Sequence, residues 1–404
     1  MPRTLLGLQA ARGVAALLVV LYHGERALAL PQYVGHASWA GLTRFGHAGV
    51  DFFFVLSGFI ISWVHGADLG QPAALPRYAA RRAARIYPPY WAATALLLAV
   101  AAASHGLAAL PGAGALLPIL LLAPGGPPPP LGVAWTLVHE TEFYLLFGLA
   151  IWRPSLGLAA ALACAALDWM PLPPGLEPLR AWGATWFDAL FPVGIAAAWA
   201  ARHAPCRRPG ALALGGAALF LLAGFAENAG LLPPDGWPGR LAYGLPAATA
   251  IVGLVQSERA GRLRVPPALA LLGAASYSVY LVHSPVLGYA ARAMAASGLL
   301  TRIPDALAMA LAASIAIAAG LVFHRWVERP LTAAAARLLD RAGRPAPLLT
   351  FDDAMAGARP IMPLQALGMF SPMSRLDPPT ATIPEPAHPA AAPGRHAAAG
   401  RAGP

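Results

Sequence analysis

The sequence predicts an all-α fold: a polytopic membrane helix bundle of about ten transmembrane helices with a disordered C-terminal tail. Three observations predict it. The 404 residues are 58% hydrophobic and only 11% charged, with a mean hydropathy of +0.58, whereas soluble domains are nearer a quarter charged. Apolar stretches of roughly 16–24 residues recur along the chain, the length a helix needs to cross a bilayer. The basic residues, all of them arginine, crowd into alternate connecting segments.

The spans justify themselves in order. The first, 5–28, begins a few residues after Met1 and shows no small-residue cleavage site, so it reads as a retained helix and not a signal peptide. "GHAGVDFFFVLSGFIIS" (46–62) opens the second, 47–66. The basic turn "RYAARRAARIYPPYW" (77–91) leads into the third, 88–110. "PILLLAPGGPPPPLG" (118–132) is too short and too proline-rich to span and reads as an interfacial or re-entrant loop. The fourth, 133–152, carries "AWTLVHETEFYLLFG", and the fifth, 155–170, is short. Then come 184–202, 211–230 and a short eighth at 240–256. The ninth, 268–290, holds "LGAASYSVYLVHSPV", and "HRWVERPL" closes the tenth, 304–327. Residues 1–340 thus form one membrane-embedded domain. Residues 341–404, ending in "PPTATIPEPAHPAAAPGRHAAAGRAGP", read as a Pro/Ala-rich disordered tail.

Orientation follows from the arginines. With the N-terminus in the cytoplasm, the inner segments hold Arg3, Arg77, Arg81, Arg82, Arg85, Arg153, Arg207, Arg208, Arg259, Arg262 and Arg264. Arg329, Arg337, Arg341 and Arg344 follow the last span. The outer segments carry only Arg26, Arg44, Arg180, Arg240, Arg292 and Arg302. That is the positive-inside pattern, with both termini cytoplasmic. It accounts for the net charge of +10 without nucleic acid. Cys164 falls in a span and Cys206 in a cytoplasmic loop, a distribution that points away from a disulfide.

Two ionisable residues bracket the apolar run of the first span: Arg12 and His23 in "AARGVAALLVVLYHGE". Eleven residues at 100° each return almost to the same helix face, about 16 Å further along the axis. One stripe therefore links the cytoplasmic and outer halves of the helix. Such groups are costly in a membrane and usually face a bundle interior or a wet cavity. The plain alternative is that Arg12 snorkels to headgroups while His23 sits at the outer interface.

The neighbouring motifs weigh against that alternative. Asp51 lies near the outer end of the second span, Glu140 and Glu142 inside the fourth, and His283 mid-membrane in the ninth. With the arginine–ten residues–histidine pattern and the "HRWVERPL" closure, the chain resembles the acyltransferase-3 family of bacterial integral-membrane O-acyltransferases from about residue 5 to 331. No Gly-Asp-Ser motif follows, so the resemblance is to the stand-alone type, and "WTLVHETEFYLLFG" looks most like exopolysaccharide-modifying members.

The resemblance implies transfer of an acyl group, usually acetyl, from cytoplasmic acyl-CoA to a hydroxyl of a cell-surface polysaccharide, lipid-linked glycan or related acceptor, at the bacterial inner membrane and without a metal. A hydroxyl is a weak nucleophile, and imidazole, with an ordinary pKa near 6.5, is the usual base that activates it. His23 is the candidate base and Asp51 the carboxylate to orient it. Arg12, Arg82 and Arg85 are candidates for the phosphates of coenzyme A, because guanidinium suits phosphate geometry; lipid anchoring is their plain alternative. Glu140 matches the family's glutamate and would contact substrate or brace an arginine. His283 would contact substrate or serve as a second base, with packing hydrogen bonds as its plain reading. Ser57 and Gly58 would allow close helix approach. Intramembrane Arg, His, Asp and Glu would equally serve a transporter or flippase for an acyl donor or lipid-linked sugar.

Overall fold

The computed structural model describes residues 5–167, 171–176 and 185–341. The tail beyond Arg341, Arg3 and Arg180 lie outside the described residues. Among the described residues every regular element is helical.

Helix α1 (Leu6–Leu28) threads the middle of the bundle and meets α2 (Gly49–His65) through the short turn Arg44–Ala48. Helix α3 (Leu75–His105) begins well before the expected span, so the basic turn is its first third. The stretch expected not to span contributes only α4 (Ala113–Leu121), nine residues long. Then follow α5 (Trp135–Trp152), α6 (Pro154–Leu167), α7 (Leu190–His203), α8 (Pro209–Asn228) and α9 (Gly236–Arg259). The ninth expected span is broken into α10 (Pro267–Ala274) and α11 (Ser276–Ala296), bent by 72°. Helix α12 (Asp305–Phe323) passes through a π-helical turn, His324–Glu328, into α13 (Arg329–Arg341).

Every expected span coincides with a helix, but fewer than ten are long and apolar enough to cross a bilayer by themselves. Five segments qualify: Leu6–Leu28, Arg44–Asp68, Pro72–His105, Pro209–Asn228 and Asp305–Leu339, with the bent α10–α11 pair as a sixth. The other expected spans fall short for two reasons. Helices α6 and α7 have 14 residues each. Helices α5 and α9 carry Glu140, Glu142 and Arg240, which no lipid-facing average would contain.

Within lipid, packing and not water exclusion holds helices together, so small residues at crossings decide which backbones touch. A Cβ at Gly58 would strike the Phe191 carbonyl and one at Gly194 the Val55 carbonyl, so α2 and α7 cross in backbone contact. A Cβ at Gly273 would run into Gln9, which locks α10 against α1. Around these crossings Val55, Phe59, Leu190, Phe191 and Ile251 form one buried core. Val20, Val279, Ala291 and Met309 form a second, and Tyr90, Leu137 and Leu281 a third. At the start of α1 the N–H groups of Leu6 and Gly7 donate to the Glu258 carboxylate at 2.6 and 2.8 Å. This satisfies orphan donors and complements the helix dipole.

Candidate active site

Between α1, α2, α3, α5, α11 and the α12–α13 turn lies a cavity of about 770 Å³, within the usual size range of small-molecule sites. Arg12, Arg81, Arg82 and Arg85 line it, together with aromatic and aliphatic side chains that include Phe53, Phe54, Leu137 and Tyr280. Its two carboxylates are already occupied. Glu140 accepts from Ser57 Oγ at 3.0 Å and from the Tyr144 hydroxyl. Glu328 accepts from Arg85 Nη1 at 2.8 Å, Ser278 Oγ at 2.6 Å and His324 Nδ1 at 2.8 Å. The π-helical turn is what aims Glu328 inward, a common use of such turns at working sites.

The expected donor residues are therefore gathered into one space, but not on equal terms. Arg12 is buried, with Nη1 3.3 Å from Gln9 Oε1. Arg82 lies over the Tyr144 ring at 5.8 Å, and its buried Nε has no hydrogen-bond partner among the described residues. A guanidinium N–H left unpaired next to a cavity is a donor waiting for an acceptor. Arg85 is divided between the cavity and Glu328.

His23 is half-buried and does not line this cavity. It stands beyond Tyr280, whose ring centroid is 5.7 Å from that of His283. The two imidazoles face each other across α1 and α11, with centroids 4.9 Å apart and His283 Nε2 3.4 Å from His23 Nδ1. Backbone carbonyls assign the protons. His283 Nδ1 lies 2.7 Å from the Tyr280 carbonyl and 3.2 Å from that of Val279. Carbonyl oxygens only accept, so Nδ1 of neutral His283 carries the hydrogen and Nε2 presents a lone pair. His23 Nδ1 lies 3.0 Å from the Val19 carbonyl, so its N–H is shared between that oxygen and His283 Nε2. The lone pair of His23 then sits on Nε2, free for an incoming proton.

Asp51 does not hold the position expected of it. It is fully buried, and both its oxygens face Arg240 Nη1, at 3.0 and 3.2 Å. The orientation that His23 was expected to gain from a carboxylate partner comes from the Val19 carbonyl and His283. Arg240, expected among the free outer charges, lies inside the bundle, stacked over Phe187 at 4.1 Å. His283, expected to contact substrate, is wholly enclosed. Glu142 is buried away from the cavity.

A second polar group was not singled out from the sequence. His47 Nε2 donates to Glu227 at 2.8 Å and the Tyr243 hydroxyl to the other oxygen of Glu227 at 2.7 Å. The Tyr22 ring joins this group to the imidazole pair, edge-on to His23 at 5.0 Å and to His47 at 5.6 Å. The one available signal was the spacing of His47 and Asp51, one helical turn apart in a quoted motif. Among the described residues no cluster of His, Cys, Asp and Glu has the form of a metal site.

A family profile described as an acyltransferase domain matches residues 5–325. The acyltransferase MdmB of Streptomyces mycarofaciens is 31% identical over 381 residues, covering 85% of this chain and 93% of that protein. The exopolysaccharide production protein ExoZ of Rhizobium meliloti (strain 1021) is 30% identical over 318 residues, 71% of this chain and 89% of the relative. Protein 2 in the picA locus of Rhizobium radiobacter is 34% identical over 99 residues, 24% of this chain and 46% of that protein. No solved structure matches.

Proposed function

Since the chain belongs to the acyltransferase-3 family and is a membrane acyltransferase, we propose that it moves an acyl group, acetyl in the simplest case, from cytoplasmic acyl-CoA to a hydroxyl of a surface polysaccharide or related glycan. The glycan acceptor is suggested by the similarity to an exopolysaccharide production protein. The observation that carries the reading is the pairing of an arginine-lined cavity with an imidazole dyad just past its aromatic wall. The cavity opens, on this reading, to the cytoplasm of the bacterial inner membrane. Arg12 and Arg82, with the free part of Arg85, draw in the phosphates of the donor, and the neutral pantetheine arm lies along the apolar lining.

His23 Nε2 takes the proton of the acceptor hydroxyl as its oxygen attacks the thioester carbonyl. The C–S bond breaks, and the imidazolium returns its proton to the departing thiolate. His283 supports the charged intermediate state by accepting from His23 Nδ1, a positioning role. Glu140, tied to Ser57 and Tyr144, shapes the wall that the donor passes.

The test is transfer of labelled acetyl to purified acceptor, with donor binding measured on the same preparations. His23→Ala lowers turnover by about 10²–10⁴-fold, the usual contribution of a positioned acid–base group, and leaves acetyl-CoA binding in place. The double variant with His283→Ala is scarcely slower than His23→Ala, because groups acting as one unit are strongly non-additive. Near-normal turnover by folded His23→Ala protein would sink the mechanism.

A further inference from the structure

Helix α13 lies beyond residues 5–325, the segment matched by the family profile. It is amphipathic in an unusual sense. Arg329, Thr332, Ala333, Ala336 and Arg337 all line the 770 Å³ cavity. Their spacing of three and four residues places them on one face. The opposite face carries Leu331 and Leu338, 36% and 65% exposed, and Trp326 in the preceding turn is 70% exposed. Leucines and a tryptophan on one side with arginines on the other suit a helix lying at the membrane surface. Here the arginine side also borders the cavity, with Arg329 and Arg337 both exposed at its edge.

The helix is also fixed in place. Glu328, immediately before it, is held by Arg85, Ser278 and His324, and α13 packs along α3. Neither Arg329 nor Arg337 forms an ion pair among the described residues. The cavity's two carboxylates, Glu140 and Glu328, are both committed elsewhere. Two guanidinium groups with no acidic partner among the described side chains therefore join the basic wall, about 12 Å apart along the helix axis.

We propose that α13 is the nucleotide clamp of the donor site. Arg329 holds the diphosphate together with Arg82 and Arg85, and Arg337 binds the ribose 3′-phosphate that distinguishes coenzyme A from its dephospho form. The assignment of the two arginines follows from position. Arg329 adjoins Glu328 and hence Arg85, one of the arginines assigned above to the donor phosphates, whereas Arg337 stands two helical turns further along the same cavity wall. The inference rests on the acyl-CoA reading above.

The experiment measures dissociation constants of acetyl-CoA and 3′-dephospho-acetyl-CoA by calorimetry, using the full-length protein in lipid nanodiscs. The wild type binds acetyl-CoA about ten-fold or more tightly than the dephospho form, the scale of one charge-assisted contact. Arg337→Gln weakens acetyl-CoA to the dephospho value and leaves dephospho binding unchanged. Arg329→Gln weakens both donors alike. Arg325→Gln, an exposed arginine outside the cavity lining, changes neither. Melting curves confirm that each variant is folded. An unchanged preference in Arg337→Gln, or no preference in the wild type, overturns the clamp while the acyl-CoA reading stands. A folded wild type that binds neither donor overturns both.

Discussion

At the scale of single residues, the informative contrast is between His23 and Asp51. A carboxylate seemed the natural partner for a catalytic imidazole, yet Asp51 is fully buried against Arg240 and His23 is oriented by a carbonyl and a second histidine. The physical reason is cost. A carboxylate away from water must find a full opposite charge, and Arg240 supplies one permanently where an imidazole supplies one only when protonated. Asp51→Asn is therefore expected to act on stability: removing one partner of a buried pair typically costs about 3–5 kcal/mol. Thermal melting of the purified protein should show the loss. Turnover per folded molecule should hold. The double variant with Arg240→Gln should lose less than the sum of the singles, because the two residues are in contact. A large fall in turnover without a change in melting would return Asp51 to the imidazole.

At the scale of elements, the bend between α10 and α11 and the π-helical turn after α12 do most to shape the site. The bend leaves Tyr277 and Tyr280 on the cavity wall. Tyr280 is held there by Thr136 Oγ1 at 2.9 Å and donates to the Val133 carbonyl at 3.2 Å, with Phe53 packed against it at 6.1 Å. These rings separate the donor cavity from the histidines. Excluding water protects a reactive donor from hydrolysis, so Tyr280→Ala should release free thiol from acetyl-CoA in the absence of acceptor. A thiol-reactive dye reads this directly, and no rise over wild type would mean that the ring is not a barrier. The π-helical turn gives a second expectation. Arg85→Ala leaves Glu328, 2% exposed, with only Ser278 and His324. Losing a charged partner at such a site costs roughly 1–3 kcal/mol, so this variant should both melt earlier and bind donor more weakly. Arg82→Ala, with no carboxylate to strand, should lose donor affinity alone.

At the scale of the whole molecule, the proposed orientation rests on the arginine distribution. Arg240 was one of the few charges counted on the outer side, and its pairing with Asp51 removes it from the free charge there. The segments proposed to be cytoplasmic keep the cluster on α3, the pair Arg207 and Arg208, and the arginines of α13. Reporter fusions at Arg207 and at the C-terminus should accordingly report cytoplasm, and one at Pro234 the outer side. A C-terminal fusion reporting the outer side would invert the proposed route of the donor.

By itself the sequence determined that this protein is a helical membrane bundle and where its helices lie, and its resemblance to a family singled out His23, Asp51, Arg12, Arg82, Arg85, Glu140 and His283 as candidates. All of this is local information: apolar runs of bilayer length, charges inside such runs, and the short motifs that carry the resemblance. The tertiary structure decided the partnerships. His283 meets His23 across 260 residues of chain and Arg240 meets Asp51 across 189. No periodicity within a single helix contains that information, because it depends on which small residues let which backbones touch. The same holds for α13. Its arginines read as cytoplasmic charge in the sequence, and only the inward π-helical turn at Glu328 and the packing on α3 bring them onto the cavity wall.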